Sequence, residues 1–362
     1  MNAGDRRFTG RPSWHRGRCV GTSHTNGYHM STHPYLIQSF HPNPIFIGSE
    51  IVAQLLLHNV RKVYIVARSK SKYLRAQENW RQRHGIVLSE NDDRLEFIQC
   101  DLGDIKSVKD AADEITAKTD RLDILICNAG LGVGPQYKRS PQNVEVVFAT
   151  NCVGHQVLAT LLLPLLRRTI NQGKAQEARI VVTSSSFHQF CRKIDLNLLT
   201  SPSRPKPAIV DGLWRYGRSK LGNILFTREL ARRLEQGTDP ADRHIYANVF
   251  FPGNIVTEQW NSWDDYFGRV GGSIMRRLFS LIGQSTQDGA ATAIYLAASQ
   301  AIRENGTRGQ YFIPIATPCK TTPVAADMRL ARELWDWINA RATETLGSDW
   351  QSEAGVGLFN RI

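Results

Sequence analysis

Tyr216 and Lys220 stand four residues apart in the chain. On a helix this spacing puts both side chains on one face, about one turn apart. An ammonium group near a phenol favours the phenolate and so lowers the pKa of the tyrosine. A tyrosine tuned in this way exchanges a proton with a substrate oxygen near neutral pH. Most pairs with this spacing belong to ordinary helix surface, so the residues upstream decide what this pair does.

The composition describes a basic chain with enough apolar residues for a core. Of its 362 residues 41% are hydrophobic, which suits one large or two small domains. The formal net charge of +12 would favour nucleic acid, acidic membranes or phosphorylated ligands. The excess is dispersed, however, in arginine pairs such as 167–168, 232–233 and 276–277, without a basic block interleaved with aromatic residues. We therefore expect no nucleic-acid partner.

The six cysteines are scattered without paired spacing, so we expect neither a metal site nor a disulfide framework. Cys100 and Cys127 end apolar runs and are typical of buried, reduced thiols, which favours an intracellular, cytoplasmic protein. The longest apolar stretch, 157–166, contains Pro164 and is too short to span a bilayer. No signal peptide is expected either, and neither a transmembrane segment nor a peripheral membrane contact is predicted.

Helical and strand-like segments alternate from about residue 48 onward. Short apolar runs predict strands at 62–67, 95–100, 122–127, 179–183, 245–251 and 310–315. Helical patterns lie at 48–58, 104–118, 144–168, 212–234, 287–298 and 325–340. This order predicts an α/β fold, a doubly wound parallel sheet of Rossmann type with helices on both faces. Such sheets bind ligands at the carboxyl ends of their strands.

Residues able to do chemistry follow these strands. They are Asn128 and Gly130 after 122–127, Ser184, Ser185 and Ser186 after 179–183, and Pro252 and Gly253 after 245–251, with Asn151 inside the helix between them. In this order, together with Tyr216 and Lys220, they resemble the short-chain dehydrogenase/reductase family in its retinol-dehydrogenase-like branch. The resemblance covers roughly residues 46 to 342.

The resemblance implies a role for each of four residues. Tyr216 would be the general acid and base at the substrate oxygen, and Lys220 would lower its pKa and hold the nicotinamide ribose. Ser185 would hydrogen-bond the same substrate oxygen, and Asn151 would anchor a water in the proton relay to Lys220. These roles suit hydride transfer, because reduction of a carbonyl builds an alkoxide that needs a donor and a proton source.

The same resemblance implies a set of cofactor contacts. Asp101 and Leu102 would meet the adenine, Asn128 and Gly130 would line the cleft, and Thr257 would meet the nicotinamide carboxamide. The full set comprises Ile47, Gly48, Arg68, Ser69, Asp101, Leu102, Asn128, Gly130, Tyr216, Lys220, Pro252, Gly253, Ile255 and Thr257.

Arg68 ends the predicted strand 62–67, where an acidic residue would bond both ribose hydroxyls of NAD. An arginine there can pair instead with a 2′-phosphate, and Ser69 and Lys70 add donors. We therefore expect NADP(H) in preference to NAD(H). The alternative is that Arg68 is simply a solvated strand end.

The first strand and its glycine-rich turn depart from the family pattern. Pro42 and Phe46 stand where two glycines are expected, and only Gly48 remains. A phenyl ring would crowd the pyrophosphate, and prolines lack the N–H that cradles phosphate. The stretch 35–40 looks like a poor central strand. Two explanations stay open, an incorrectly joined upstream sequence ending near residue 45 to 48, or a genuine protein that binds its cofactor weakly.

These patterns predict one domain at 45–342, a disordered or atypical segment at 1–44 and a loose tail at 343–362. A substrate lid is predicted at 253–285, which is rich in Trp, Phe, Ile and Leu. This suggests a lipophilic alcohol or ketone (retinoid, sterol, terpenoid or polyketide-like, as in secondary metabolism), unless these residues pack the core or a homodimer interface.

The predicted function is an NADP(H)-dependent oxidoreductase. The alternative is a non-catalytic relative that acts as a binding or regulatory module.

Overall fold

The computed structural model describes residues 34–39, 47–89, 92–201, 207–254 and 285–354. Within these ranges eight strands form one sheet in the order β3-β2-β1-β4-β5-β6-β7-β8. The strands are β1 Tyr35–Ser39, β2 Lys62–Ala67, β3 Leu95–Gln99, β4 Ile124–Cys127, β5 Ala178–Thr183, β6 Ile245–Phe250, β7 Tyr311–Ile313 and β8 Thr317–Cys319. Every neighbouring pair is parallel except β7 and β8. The predicted α/β, doubly wound fold is confirmed, while β8 was not predicted.

Helices cover both faces of this sheet. They are α1 Ile47–Leu57, α2 Lys70–His84, α3 Ile105–Lys118, α4 Val146–Phe148, α5 Gly154–Asn171, α6 Ala208–Gln236, α7 Thr286–Ala298, α8 Gln300–Glu304 and α9 Met328–Leu346. One core cluster packs α3, α5, α6 and α9 against the sheet, and the other packs α1, α2 and α7. Strand residues alternate between them, as Ile37 faces the first and Leu36 the second, which the period-two geometry of a strand requires.

Strands β1 and β4 lie side by side in the middle of the sheet. The strands that follow β1 in the chain lie on one side of this pair, and the strands that follow β4 lie on the other side. A crevice opens at such a point, outside the carboxyl ends of the strands. The site described below lies there.

Strand β1 corrects the expectation of a poor first strand within an atypical segment 1–44. Ile37 lies between Tyr64 of β2 and Leu125 of β4 and is fully buried. Part of the polarity of this stretch is met by hydrogen bonds, since Gln38 Nε2 donates to the carbonyl of Gly48 at 3.0 Å and the Ser39 hydroxyl lies 2.8 Å from His155 Nε2, whereas Gln38 Oε1 is buried without a partner. Buried polar groups with partners cost little, so the strand holds its central place and the domain begins before residue 45.

The predicted loose tail from residue 343 is also wrong in its first part. Helix α9 continues to Leu346, and a 3₁₀ turn follows at Ser348–Ala354. Trp350 is buried and its indole N–H donates to Thr343 Oγ1 at 3.0 Å. The indole therefore fastens this turn to the end of α9.

One helical stretch in the described ranges, Val146–Asn171, is long and apolar enough to cross a membrane by length and composition. Within its most apolar window 89% of the residues are buried inside the domain. Such burial is typical of the core helix of a sheet-based domain.

Candidate active site

Three polar side chains meet at the carboxyl ends of β4 and β5. Ser185 follows β5, and Tyr216 and Lys220 reach the same place from α6. The helix contacts the turn after Ser185 closely, because a Cβ at Gly217 would lie only 2.8 Å from the carbonyl oxygen of Phe187. A glycine at this position therefore lets α6 bring Tyr216 against that turn.

The hydroxyl of Ser185 lies near the phenol of Tyr216 and acts to lower the pKa of that phenol. Ser185 also caps the 3₁₀ turn Ser186–Phe190, where its hydroxyl accepts from the N–H of Phe187 at 3.3 Å. The ring of Phe187 meets the Tyr216 ring edge-on, with centroids 5.7 Å apart. Two hydroxyls thus stand together with an aromatic wall beside them.

Lys220 is buried and its Nζ donates to the carbonyl oxygen of Thr183 at 3.1 Å. The Nζ lies 5.7 Å from the centroid of the Tyr216 ring. Burial lowers the pKa of Lys220 to about 8, because a charged ammonium loses its hydration there. The group still carries its proton for most of the time at neutral pH.

The pKa of Tyr216 does not move in the direction predicted from Lys220. Burial raises it above its usual value, and the hydrogen bond with Ser185 lowers it only in part. The ammonium is held by the carbonyl of Thr183 rather than by the phenol, so desolvation outweighs its attraction.

Asn151 lies in a π-helical turn, Ala149–Val153, that joins α4 to α5. Its Oδ1 accepts from the N–H of Leu131 at 2.7 Å, and its Nδ2 donates to the carbonyl of Leu131 and to Ser219 Oγ, both at 2.9 Å. The side chain is fully engaged and ties the loop after β4 to helix α6. π turns of this kind are frequent at functional sites, and the helical pattern did not predict this one.

Gly130 leaves little room for a side chain between Asn151 and Lys220. A Cβ there would lie 3.0 Å from Asn151 Oδ1 and 3.5 Å from Lys220 Nζ. The loop after β4 can therefore pass directly beside the lysine.

A cleft of about 290 Å³ opens next to this loop at the carboxyl ends of β2, β3 and β4. It is lined by Val66, Ala67, Arg68, Ser69, Lys72, Cys100, Leu102, Ala129, Gly130, Leu131 and Thr150. The structure thus brings predicted residues Arg68, Ser69, Leu102 and Gly130 together. Lys72 and Thr150 were missed, and the cleft takes Lys72 rather than Lys70 because Ser69 caps α2 and Lys72 stands at its first turn.

Other predicted residues support the cleft. Asp101 Oδ1 accepts from the N–H of Gly103 at 2.9 Å, and Asp101 Oδ2 lies 3.9 Å from Arg68 Nη1. Asn128 Oδ1 accepts from the hydroxyl of Thr183 at 3.1 Å, which links the ends of β4 and β5.

Of the remaining predicted cofactor contacts, four lie among the described residues and two lie outside them. Ile47 and Gly48 begin α1, and Pro252 is buried just after β6, next to Gly253, which has a φ of 100°. The predicted contacts Ile255 and Thr257, the substituted turn with Pro42 and Phe46, and most of the predicted lid lie outside the described residues.

Arg215 was not predicted, although it directly precedes Tyr216. Its buried guanidinium donates to the carbonyl of Gly134 at 2.5 Å and to Asp211 Oδ2 at 2.8 Å, and lies 3.4 Å from Glu145 Oε1. It fastens the tyrosine-bearing part of α6 to the loop after β4. The available signal was Asp211 four residues earlier, because an aspartate and an arginine at this spacing meet on one helix face.

The residues present fit a nicotinamide dinucleotide. Basic side chains Arg68 and Lys72 lie at one end of the cleft, and Gly130 leads from it to the buried Lys220. A phosphorylated, ribose-bearing ligand needs such cations and such a close approach of backbone.

Comparison with known proteins agrees with this geometry. The family model described as short chain dehydrogenase matches residues 47–191. Retinol dehydrogenase 14 of Mus musculus is 33% identical over 80% of this chain and 80% of its own length. The chain belongs to the short-chain dehydrogenase family. As a short-chain dehydrogenase it is an oxidoreductase that acts on CH–OH or C=O groups with a nicotinamide cofactor.

Further relatives of this short-chain dehydrogenase are fungal and bacterial. Short chain dehydrogenase/reductase dpchH of Colletotrichum higginsianum is 32% identical over 83% of this chain and 73% of the relative. Among solved structures, L-sorbose reductase from Gluconobacter frateurii, complexed with NADPH and L-sorbose, superposes with a TM-score of 0.56 and 17% identity. That match covers 80% of this chain and 97% of the reductase, and at this identity it shows the fold alone.

Proposed function

We propose that this short-chain dehydrogenase uses NADP(H) to interconvert a carbonyl and an alcohol on a lipophilic small molecule. The observation that carries the proposal is Tyr216 packed on Phe187 of the turn that Ser185 caps, with Lys220 buried beside the tyrosine. Tyr216 and Lys220 lie between a cleft with basic residues and an aromatic surface.

Each residue has a distinct task in this proposal. The hydroxyls of Ser185 and Tyr216 bind the substrate oxygen, and Tyr216 gives or takes the proton as that oxygen changes between alcohol and carbonyl. Lys220, held by Thr183 O, keeps positive charge near the phenol and binds the ribose next to the reacting ring. Asn151 keeps Leu131 and Ser219 in place around them. The nicotinamide, when bound, supplies or accepts the hydride.

The preference for NADP(H) rests on Arg68 and Lys72. Both line the cleft, and Arg68 stands at the end of β2, where an acidic residue would favour NAD. Its nearest carboxylate, Asp101, is 3.9 Å away and both side chains are about half exposed, so the pair is weak and a 2′-phosphate can displace it. Solved neighbours include complexes with NADP and with NADH, so the fold itself accepts either.

A lipophilic substrate is supported by the aromatic surface beside Tyr216. Phe187 packs on Tyr216, and Phe190 packs on Phe187 with ring centroids 5.4 Å apart. Phe190 is 65% exposed. An exposed ring this close to the reacting tyrosine favours an apolar partner. The name of one similar protein, retinol dehydrogenase 14, fits this substrate class, and a place in secondary metabolism stays a prediction.

The proposed cellular setting rests on the cysteines. Cys100, Cys127 and Cys152 are free and buried, and burial raises the pKa of each thiol. Buried, unreactive thiols suit a reducing, cytoplasmic environment. A homodimer and the absence of a nucleic-acid partner stay predictions.

A substrate screen tests this function. The purified chain is mixed with NADPH and a panel of retinoid, steroid, terpenoid and polyketide ketones, beside short sugar ketones of matched carbonyl reactivity. We expect NADPH oxidation with lipophilic ketones and little with sugars. Turnover confined to sugars would contradict the lipophilic substrate, and no turnover with any carbonyl would contradict the activity. The alternative of a non-catalytic relative predicts that last result.

A further inference from the structure

His155 is a buried histidine that the proposed chemistry does not use. It lies in α5, four residues after Asn151, and is fully shielded from solvent. Both of its ring nitrogens have partners. Nδ1 lies 2.9 Å from the carbonyl oxygen of Asn151, and Nε2 lies 2.8 Å from Ser39 Oγ at the end of β1.

These two contacts fix the protonation of the ring. A carbonyl oxygen can only accept, so Nδ1 carries the hydrogen and donates it to Asn151. In a neutral ring Nε2 then holds a lone pair, and the Ser39 hydroxyl donates to it. Burial and the nearby charge of Lys220 lower the pKa of His155 to about 4, against the opposing effect of the bond to Asn151. The ring is therefore neutral at physiological pH.

The Ser39 hydroxyl extends this chain of hydrogen bonds to the loop after β4. Its oxygen accepts from the N–H of Asn128 at 2.9 Å and, at 3.2 Å, from the N–H of Ala129, which also donates to the backbone carbonyl of Ser39 at 3.0 Å. The hydroxyl could also donate to the carbonyl of Ile126, but that oxygen is 3.2 Å away, whereas His155 Nε2 is 2.8 Å away. With one bond donated and two accepted, the hydroxyl has used all its capacity.

From this geometry we propose that His155 is a positioning residue that couples the cofactor loop at 128–130 to the turn that carries Asn151. The bonds run in one direction, from the loop amides to Ser39, then to His155 and on to the carbonyl of Asn151. They join the loop after β4, the end of β1 and helix α5 at this edge of the sheet.

The consequence for the site follows from what Asn151 touches. Its side chain holds Leu131 and Ser219, and its Oδ1 would lie 3.0 Å from a Cβ at Gly130. A small shift of the π turn therefore moves both the loop beside the cofactor and the residue that precedes Lys220. Misplacement of about 1 Å at reacting groups can cost on the order of 100-fold in rate, so the histidine can act without contacting any ligand.

The first test needs no activity. The full chain is labelled with ¹⁵N-histidine, and the ring nitrogens are observed between pH 5.5 and 8. The His155 signals are assigned by their loss in a His155→Asn variant or, if that variant does not fold, by substituting the other histidines one at a time. We expect a protonated Nδ1 and an unprotonated Nε2 throughout. A hydrogen on Nε2, or a doubly protonated ring above pH 5.5, would overturn the proposal.

The second test uses two variants that each keep half of the chain of bonds. His155→Asn can place an amide donor where Nδ1 stands, whereas His155→Gln can place an acceptor where Nε2 stands. His155→Gln loses the bond to the carbonyl of Asn151, so we expect it to lower kcat about 10-fold or more and to leave the substrate KM within about 3-fold of wild type. His155→Asn keeps that bond, so we expect it to retain more of the wild-type kcat. Equal kcat in both folded variants and the wild type, or the reverse order, would overturn it. The kcat comparison rests on the proposed oxidoreductase activity. If the wild-type protein shows no turnover, the ¹⁵N measurement of the His155 ring nitrogens decides the proposal.

Discussion

Lys220 Nζ lies 5.7 Å from the centroid of the Tyr216 ring and is bound to the carbonyl of Thr183 rather than to the phenol. The lysine is thus positioned by the end of β5, while the ring of Tyr216 packs on Phe187 of the turn that Ser185 caps. Asn223 Nδ2 donates to the same Thr183 carbonyl at 2.9 Å, so this oxygen keeps a partner if the lysine moves to a bound ribose.

Tyr216→Phe should abolish most turnover while leaving the cofactor site intact. The phenol is the proposed proton donor, and loss of a general acid typically costs about 10²- to 10⁴-fold in kcat. Steady-state kinetics and NADPH titration of the same preparation measure the two effects. The control is Tyr295→Phe, since Tyr295 lies in α7 and packs on Phe312. Equal kcat for Tyr216→Phe and wild type would remove Tyr216 from the mechanism.

Lys220→Met should stabilise the cofactor-free protein near pH 7 while it abolishes turnover. The folded pKa of about 8 lies below the usual 10.5, and each pKa unit corresponds to about 1.4 kcal/mol, so the buried charge costs up to about 3 kcal/mol. Thr183 O keeps its bond from Asn223 in the variant. Urea unfolding at pH 7 measures the difference, with the exposed Lys106→Met as control.

The same difference should depend on pH with a defined sign. Between pH 8 and pH 10.5 the unfolded lysine holds a proton that the folded one has lost, so the stability contributed by wild-type Lys220 rises with pH. Below pH 8 the penalty is complete. The gap between Lys220→Met and wild type should therefore shrink from pH 7 to pH 10. A gap that grows over this range would mean that Lys220 is not desolvated in the folded protein.

Lys72→Ala and Lys70→Ala should separate the two candidate phosphate ligands on α2. Lys72 lines the cleft with Arg68, whereas Lys70 is not among its lining residues. A charge-assisted bond contributes about 1.5 to 3 kcal/mol, so Lys72→Ala or Arg68→Ala should weaken NADPH binding about 10-fold or more and leave NADH binding nearly unchanged. Lys70→Ala is the matched control. Equal losses for both cofactors would contradict recognition of the 2′-phosphate.

Gly217→Ala should lower kcat by displacing the turn after Ser185, although the variant removes no reacting group. The added Cβ would meet the carbonyl of Phe187 at 2.8 Å and Cys191 Sγ at 3.1 Å, which pushes the turn after Ser185 away from Tyr216. Overpacking of this kind costs about 1 to 3 kcal/mol, visible as a lower Tm together with a lower kcat. Gly134→Ala is the control, since its Cβ meets nothing within 4 Å. An unchanged kcat in Gly217→Ala would show that the turn tolerates the displacement.

The sequence predicted the order of elements and the edge of the sheet that holds the site. Periodicity and apolar runs are local signals, and the places of Ser185, Tyr216 and Lys220 follow from them once the sheet is parallel. The strand β1 was misjudged because its suitability depends on partners far along the chain. The Ser39 hydroxyl, for instance, finds its partners in His155, in the carbonyl of Ile126 and in the amides of Asn128 and Ala129.

The sequence also could not predict the direction of the pKa shift of Tyr216 or the π-helical turn at Asn151. The pKa of Tyr216 depends on burial and on where the Lys220 ammonium is directed, and neither follows from their spacing. The π turn at Asn151 likewise places its side chain against Leu131 and Ser219, and the helical pattern does not encode these contacts.

Titration of the purified chain with NADPH and NADH, followed by cofactor fluorescence, tests the central claim most directly. It asks whether the cleft between Arg68 and Lys220 holds the cofactor, despite the substituted glycine turn at 42–48. The expected result is saturable binding of NADPH, at least about 10-fold tighter than that of NADH, which corresponds to about 1.4 kcal/mol, and unchanged in Tyr216→Phe. Binding of neither cofactor, or tighter binding of NADH, would contradict the account.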